Sequence, residues 1–112
     1  MIANLQAALE AAWSIETSAK WRSDNPALGQ CSVTALVVQD ILGGELAKTD
    51  IGGAWHFYNI VEGRRLDFSA SQFAVHVVYS DFPASRDETL LDTSPEQYQT
   101  LRRRLSAILP RD

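Results

Sequence analysis

One cysteine, two histidines and one methionine in 112 residues leave few groups for redox or metal chemistry. A single cysteine excludes an intramolecular disulfide framework, and no Cys-x-x-Cys or His-x-x-x-His pair is present to make a preformed chelate. Neither a metal nor a cofactor is expected. Ten Lys and Arg against fourteen Asp and Glu give a formal charge of −4, the wrong sign for a surface that neutralises nucleic-acid phosphates. No apolar run approaches the roughly 20 residues that span a bilayer, so no membrane segment is expected. The start, Met1-Ile2-Ala3-Asn4, has no basic segment followed by an apolar stretch. A cytoplasmic, reducing setting is therefore expected, in which a lone thiol stays free.

What is present fits a folded chain. Hydrophobic residues at 46% and charged residues at 21% match ordinary globular domains, and the length suits a single domain over residues 1–112 with one core. The cysteine sits at a boundary. In Gly29-Gln30-Cys31-Ser32-Val33 a polar, proline-marked loop turns into an apolar run with helical character. A thiol at a helix N-terminus meets unpaired N–H groups and the positive end of the helix dipole, which favour the reactive thiolate. Such a nucleophile needs a base and a group to orient that base. His56 and Asp67 follow in that order. The competing reading is structural, because free cysteine is among the most buried residue types and packs as a small apolar side chain.

Taken in order, Ile2, Leu5, Leu9 and Trp13 recur at helical spacing and predict a first helix ending near Ser14. Residues 14–30 lose that period, and Asn25-Pro26 marks a turn; a loop this long in a compact domain is usually functional. Trp21 within it either clamps the loop or walls the site. Residues 31–42 predict a buried helix stopped by Gly43-Gly44. Strands are expected over residues 45–49, 55–61, 64–68 and 74–79, with a turn or short helical piece at 69–73 and a loop over 84–93. Ser94-Pro95-Glu96-Gln97 is a helix start, with Tyr98, Leu101, Leu105 and Ile108 as the buried stripe of the last helix. His76 has no carboxylate beside it in its strand and is read as structural.

Between residues 55–61 and 64–68 the register decides the chemistry. A two-residue turn at Glu62-Gly63 sets Val61 opposite Arg64 and Tyr58 opposite Asp67, so His56, Tyr58 and Asp67 share a face. A three-residue loop with Gly63 as a bulge is the alternative, and it moves Asp67 to the other face.

The blocks Asn25-Pro26-Ala27-Leu28-Gly29-Gln30-Cys31, Gly43-Gly44-Glu45, His56-Phe57-Tyr58-Asn59 and Asp67-Phe68 through Gln72-Phe73 resemble the YunG-like family of small bacterial proteins, from about Trp13 through the last helix. The resemblance implies an α+β fold like that of papain-like and transglutaminase-like cysteine hydrolases, with an antiparallel sheet against a buried nucleophile helix and with N- and C-terminal helices. It implies Cys31 as nucleophile, His56 as base and Asp67 as third member. The function expected is thiol-dependent acyl transfer on a peptide, amide or other acyl substrate. Gln30 is the expected second oxyanion donor, with Trp55, Tyr58 and Trp21 as site walls. The alternative is a non-catalytic binding or partner module of the same fold.

Overall fold

Helix α1 (Ile2–Ala12) and helix α2 (Cys31–Leu42) come first in the computed structural model, which describes residues 2–110. Helix α2 is buried without interruption from Ser32 to Val38, as expected of a helix apolar on most faces. One side meets α1 and the C-terminal helix α4 (Pro95–Ile108), in a cluster that includes Leu5, Leu9, Val33, Val37, Leu101 and Leu105. The other side meets the sheet, where Leu36 packs with Leu46 and Phe57. Trp13 is an anchor in the first cluster, and its indole N–H donates to Thr34 Oγ1 at 2.9 Å. In α4 the stripe is narrower than the period predicts, because Ile108 is half exposed while Leu101 and Leu105 are buried.

The sheet has four antiparallel strands in the order β3-β2-β1-β4, so the fold is α+β as the pattern predicts. Strand β1 (Glu45–Ile51) pairs with β2 (Ala54–Val61) through a two-residue turn in which Gly52 and Gly53 both have positive φ. Strand β2 pairs with β3 (Arg64–Leu66) with Val61 opposite Arg64. Glu62 at φ 51 and Gly63 at φ 75 have the positive φ values of a type I′ turn, so the bulge is not formed. Glutamate is a poor residue for that first turn position, and the sheet register overrides the local preference.

Two expectations are corrected beyond this point. Residues 74–79 form no strand: the backbone ladder on that side of β1 is made by β4 (Phe82–Ala84), opposite Leu46 to Lys48. The run 74–79 crosses the sheet instead, tied by Thr49, whose hydroxyl donates to Val78 O and accepts from Ser80 N, both at 3.0 Å. Residues 84–93, expected as a loop, contain α3 (Arg86–Leu91). Ser85 and Glu88 form a reciprocal capping box there, a signature present in the sequence as Ser-x-x-Glu. Glu88 also pairs with Lys48 of β1 and pins α3 to the sheet.

Candidate functional site

Neighbouring residues of β2 turn to opposite sides. Phe57 packs on Leu36, and the Asn59 amide donates to Ala35 O of α2 at 2.9 Å. His56 and Tyr58 face the segment that follows β3. Phe73 stands edge-on to the imidazole with centroids 4.9 Å apart, and Tyr58 stacks on it at 5.9 Å. The expected placement of His56 and Asp67 on one face follows from the two-residue turn. His56 Nε2 lies 2.7 Å from Asp67 Oδ2, with both side chains almost wholly buried.

The same Asp67 oxygen accepts a 2.8 Å hydrogen bond from the Tyr79 hydroxyl. Tyr79 is held in turn by Tyr58, edge-on at 4.9 Å, and by the Arg65 guanidinium 4.4 Å over its ring. Burial and the bond to the Asp67 carboxylate push the Tyr79 phenol well above its ordinary range. Tyr58 is pushed up to about 12, by burial first and then by its hydrogen bond to Asp81. Both phenols are therefore uncharged donors at neutral pH.

Cys31 opens α2 beside this pair. Burial works against a charged imidazole at His56, but the hydrogen bond and charge of Asp67, with the nearby Cys31 side chain, outweigh it and raise the ring from 6.5 to about 9. His56 Nδ1 is buried and meets no partner at full hydrogen-bond geometry, so the approach to the thiol is looser than a formed bond. Sites without substrate often have such loose contacts. Asp67 grips one ring nitrogen, and the other is left to the cysteine side.

What sets Cys31 at this position is the loop before it. Gly29 has φ +73, and its N–H donates to Gln72 Oε1 at 3.2 Å. The Asn25 amide donates to Gln72 O at 3.1 Å, so the loop is stitched to the 3₁₀ turn Ala70–Gln72 that follows Asp67. A Cβ at Gly29 would meet Ser18 Oγ at 2.4 Å and Lys20 Cβ at 3.0 Å. Gly29→Ala is expected to cost about 2 kcal/mol or more, from the left-handed backbone and the clash together. Urea unfolding measures it, and an unchanged midpoint would contradict this account of the loop.

A half-open cleft of about 510 Å³ runs over Cys31 and His56, bounded by Ser18, Trp55, Gln72 and Gln97 among others. Trp55 is a wall, 47% exposed, with the Lys48 ammonium 4.5 Å over its ring and Phe82 against its edge. Three expected site residues are elsewhere. Gln30 is fully buried behind the helix start, its amide nitrogen 3.4 Å from Ser14 O, so it does not face the cleft. Tyr58 lies beneath His56 rather than in the wall. Trp21 packs on the α1, α2 and α4 cluster and clamps its loop. His76 is exposed rather than structural.

Sequence reasoning passed over Gln72, Phe73, Tyr79 and Gln97. Gln97 was legible as a helix-capping residue, and its Oε1 does accept from Thr93 Oγ1 at 2.9 Å. Gln97 also lines the cleft. Among the described residues no group of three or more His, Cys, Asp or Glu is arranged to hold a metal ion, and no helix is long and apolar enough to cross a membrane.

A family model described as YunG protein matches residues 1–110. The protein named "Uncharacterized protein YunG" of Bacillus subtilis (strain 168) is 47% identical over 98 residues, which cover 88% of this chain and 85% of that one. No solved structure matches.

Proposed function

The chain belongs to the YunG family, and from that premise we propose that it is a thiol-dependent acyl-transfer enzyme with Cys31, His56 and Asp67 as its triad. The observation that carries the reading is the buried His56, gripped by Asp67 at 2.7 Å on Nε2 and raised to about 9, in a cleft that Cys31 also lines. A buried imidazole with no such partners would lose its charge instead. A cysteine opening a buried helix, a histidine on an antiparallel strand and a carboxylate just past the next strand resemble the arrangement of papain-like and transglutaminase-like hydrolases.

The thiolate of Cys31 attacks the carbonyl carbon of an amide, ester or thioester while the proton rests on His56. The carbonyl pair moves onto oxygen. The tetrahedral intermediate collapses as His56 gives its proton to the leaving amine, alcohol or thiol, and a thioester on Cys31 remains. Water or an amine then attacks the thioester, His56 takes the proton of that nucleophile, and the thiol is restored. Nothing in these steps needs a metal or a cofactor. Asp67 keeps Nε2 protonated and stabilises the imidazolium, as the third member of a triad does. The N–H of Cys31 has no acceptor four residues earlier within its helix and serves as one oxyanion donor. Gln97 Nε2 takes the second place, which the buried Gln30 cannot fill. The reducing cytoplasm is the compartment that suits such a thiol.

A p-nitrophenyl ester tests this directly: a burst of one p-nitrophenolate per chain is expected, absent in Cys31→Ser. Gln97→Leu is expected to slow that acylation by about a hundredfold or more. Its alkylation by iodoacetamide, a displacement at carbon with no oxyanion, should change far less. Equal losses in both reactions would remove Gln97 from the oxyanion site, and the absence of any burst would favour the binding-module reading.

A further inference from the structure

Residues 74–78, Ala-Val-His-Val-Val, have the strongest strand character outside the sheet, yet they join no strand. Val75 is 76% exposed and Val78 83%. The segment is not loose: Phe73 is fixed against His56 at one end, and Thr49 holds Val78 O and Ser80 N at the other. Between these ties, the backbone N–H groups of residues 74–78 have no hydrogen-bond partner among the described residues. The fold therefore holds an unpaired, strand-prone, apolar segment open to solvent. Local rules broken in this way are expected at functional sites.

The segment lies next to the reacting cleft. Ile51 and Phe73 line the cleft over Cys31, and they also line a groove of about 210 Å³ with Val75, His76, Val77 and Val78. The groove and the reacting cleft adjoin, sharing Ile51 and Phe73 as lining residues. No lysine or arginine lines the groove; its titratable groups are the exposed His76 and Asp50, whose carboxylate already accepts from Gly53 N at 2.8 Å.

We infer that this groove is the subsite for an apolar side chain of an extended peptide, whose backbone pairs with residues 74–78 and whose carbonyl reaches Cys31. Pairing by strand addition supplies backbone hydrogen bonds without regard to sequence, and the groove supplies selectivity for an uncharged branched or aromatic side chain. The inference rests on Cys31 being the nucleophile, and it narrows the substrate class from acyl compounds in general to peptides.

Rates of inactivation by acetyl-leucine chloromethyl ketone and acetyl-glutamate chloromethyl ketone, each divided by the rate with iodoacetamide, test it on the full chain. Thiolate attack expels chloride or iodide in each case, so only recognition differs. The leucine probe is expected to exceed the glutamate probe by roughly ten- to a hundredfold, the selectivity that burial of one apolar side chain provides. Val75→Asp, at a position too exposed to carry packing, is expected to shrink that ratio at least severalfold, and N-methylation of the leucine amide to lower the leucine rate. Equal leucine and glutamate rates, with iodoacetamide still faster on the folded chain than on the urea-unfolded one, overturn the groove and leave the nucleophile standing. Iodoacetamide no faster on the folded chain overturns both.

Discussion

His56→Gln is expected to slow acylation of Cys31 at pH 7 by about 10²- to 10⁴-fold, the span a positioned general base contributes. Glutamine can still donate an amide N–H toward Asp67, so the hydrogen bond at that oxygen has a replacement. It cannot take a proton. The thiol then has no acceptor, and only its own ionisation feeds the reaction. Stopped-flow acylation with the p-nitrophenyl ester measures the loss, with far-UV circular dichroism showing that the chain remains folded. A loss equal to that of Cys31→Ser would mean that the two residues act as one unit, as members of a triad do. A variant within severalfold of the parent would remove His56 from the chemistry.

Asp67→Asn is expected to act through the same ring, by a different route. Burial is the largest single influence on His56 and it disfavours the cation; two of the four influences that oppose it come from Asp67, through hydrogen bond and charge. Asparagine has nearly the same shape and can still accept from Tyr79, but the negative charge is gone. The midpoint of His56 should therefore fall from about 9, by about 1–3 pH units. Alkylation of Cys31 near neutral pH should slow with it. Titration of the imidazole Cε1–H resonance measures the first, with His76 as the second histidine in the spectrum.

The sign of the accompanying stability effect follows from the raised midpoint. The folded chain holds the His56 proton more tightly than the unfolded one, so this contribution is complete below pH 6.5 and is lost as pH rises through about 9. Asp67→Asn should flatten that decline. An unchanged His56 midpoint would show that Asp67 does not hold the charge.

How far the chain could be read from its sequence differs from element to element. Helix α2 was legible to the residue, since the apolar run starts at Cys31 and Gly43 stops it. The register of the β2–β3 hairpin was open, because Glu62 disfavours the turn that the sheet adopts, and one residue of slippage would have parted His56 from Asp67. Strand β4 is three residues at an edge and carries no period to read. The segment 74–79 has strand propensity, but the edge of β1 is laddered by the three residues of β4 instead, a fact that resides in the tertiary pairing. Tyr79 reaches Asp67 from that displaced segment, so nothing in the local pattern around either residue announces the contact. Gln30 and Gln97 show the same limit from opposite sides. Adjacency to Cys31 suggested the first, whereas the path of the chain buries it and brings the second, sixty-six positions after Cys31, to the cleft.

Mass-spectrometric trapping of the acyl-enzyme tests the central claim most directly. The chain is mixed with a slight excess of an activated ester at neutral pH, quenched in acid within seconds and digested. The account predicts one acyl group per chain, on Cys31, formed much faster than on the urea-unfolded chain and missing from His56→Gln at the same time point. An adduct distributed over lysines, or a Cys31 adduct formed no faster on the folded chain than on the unfolded one, would contradict it.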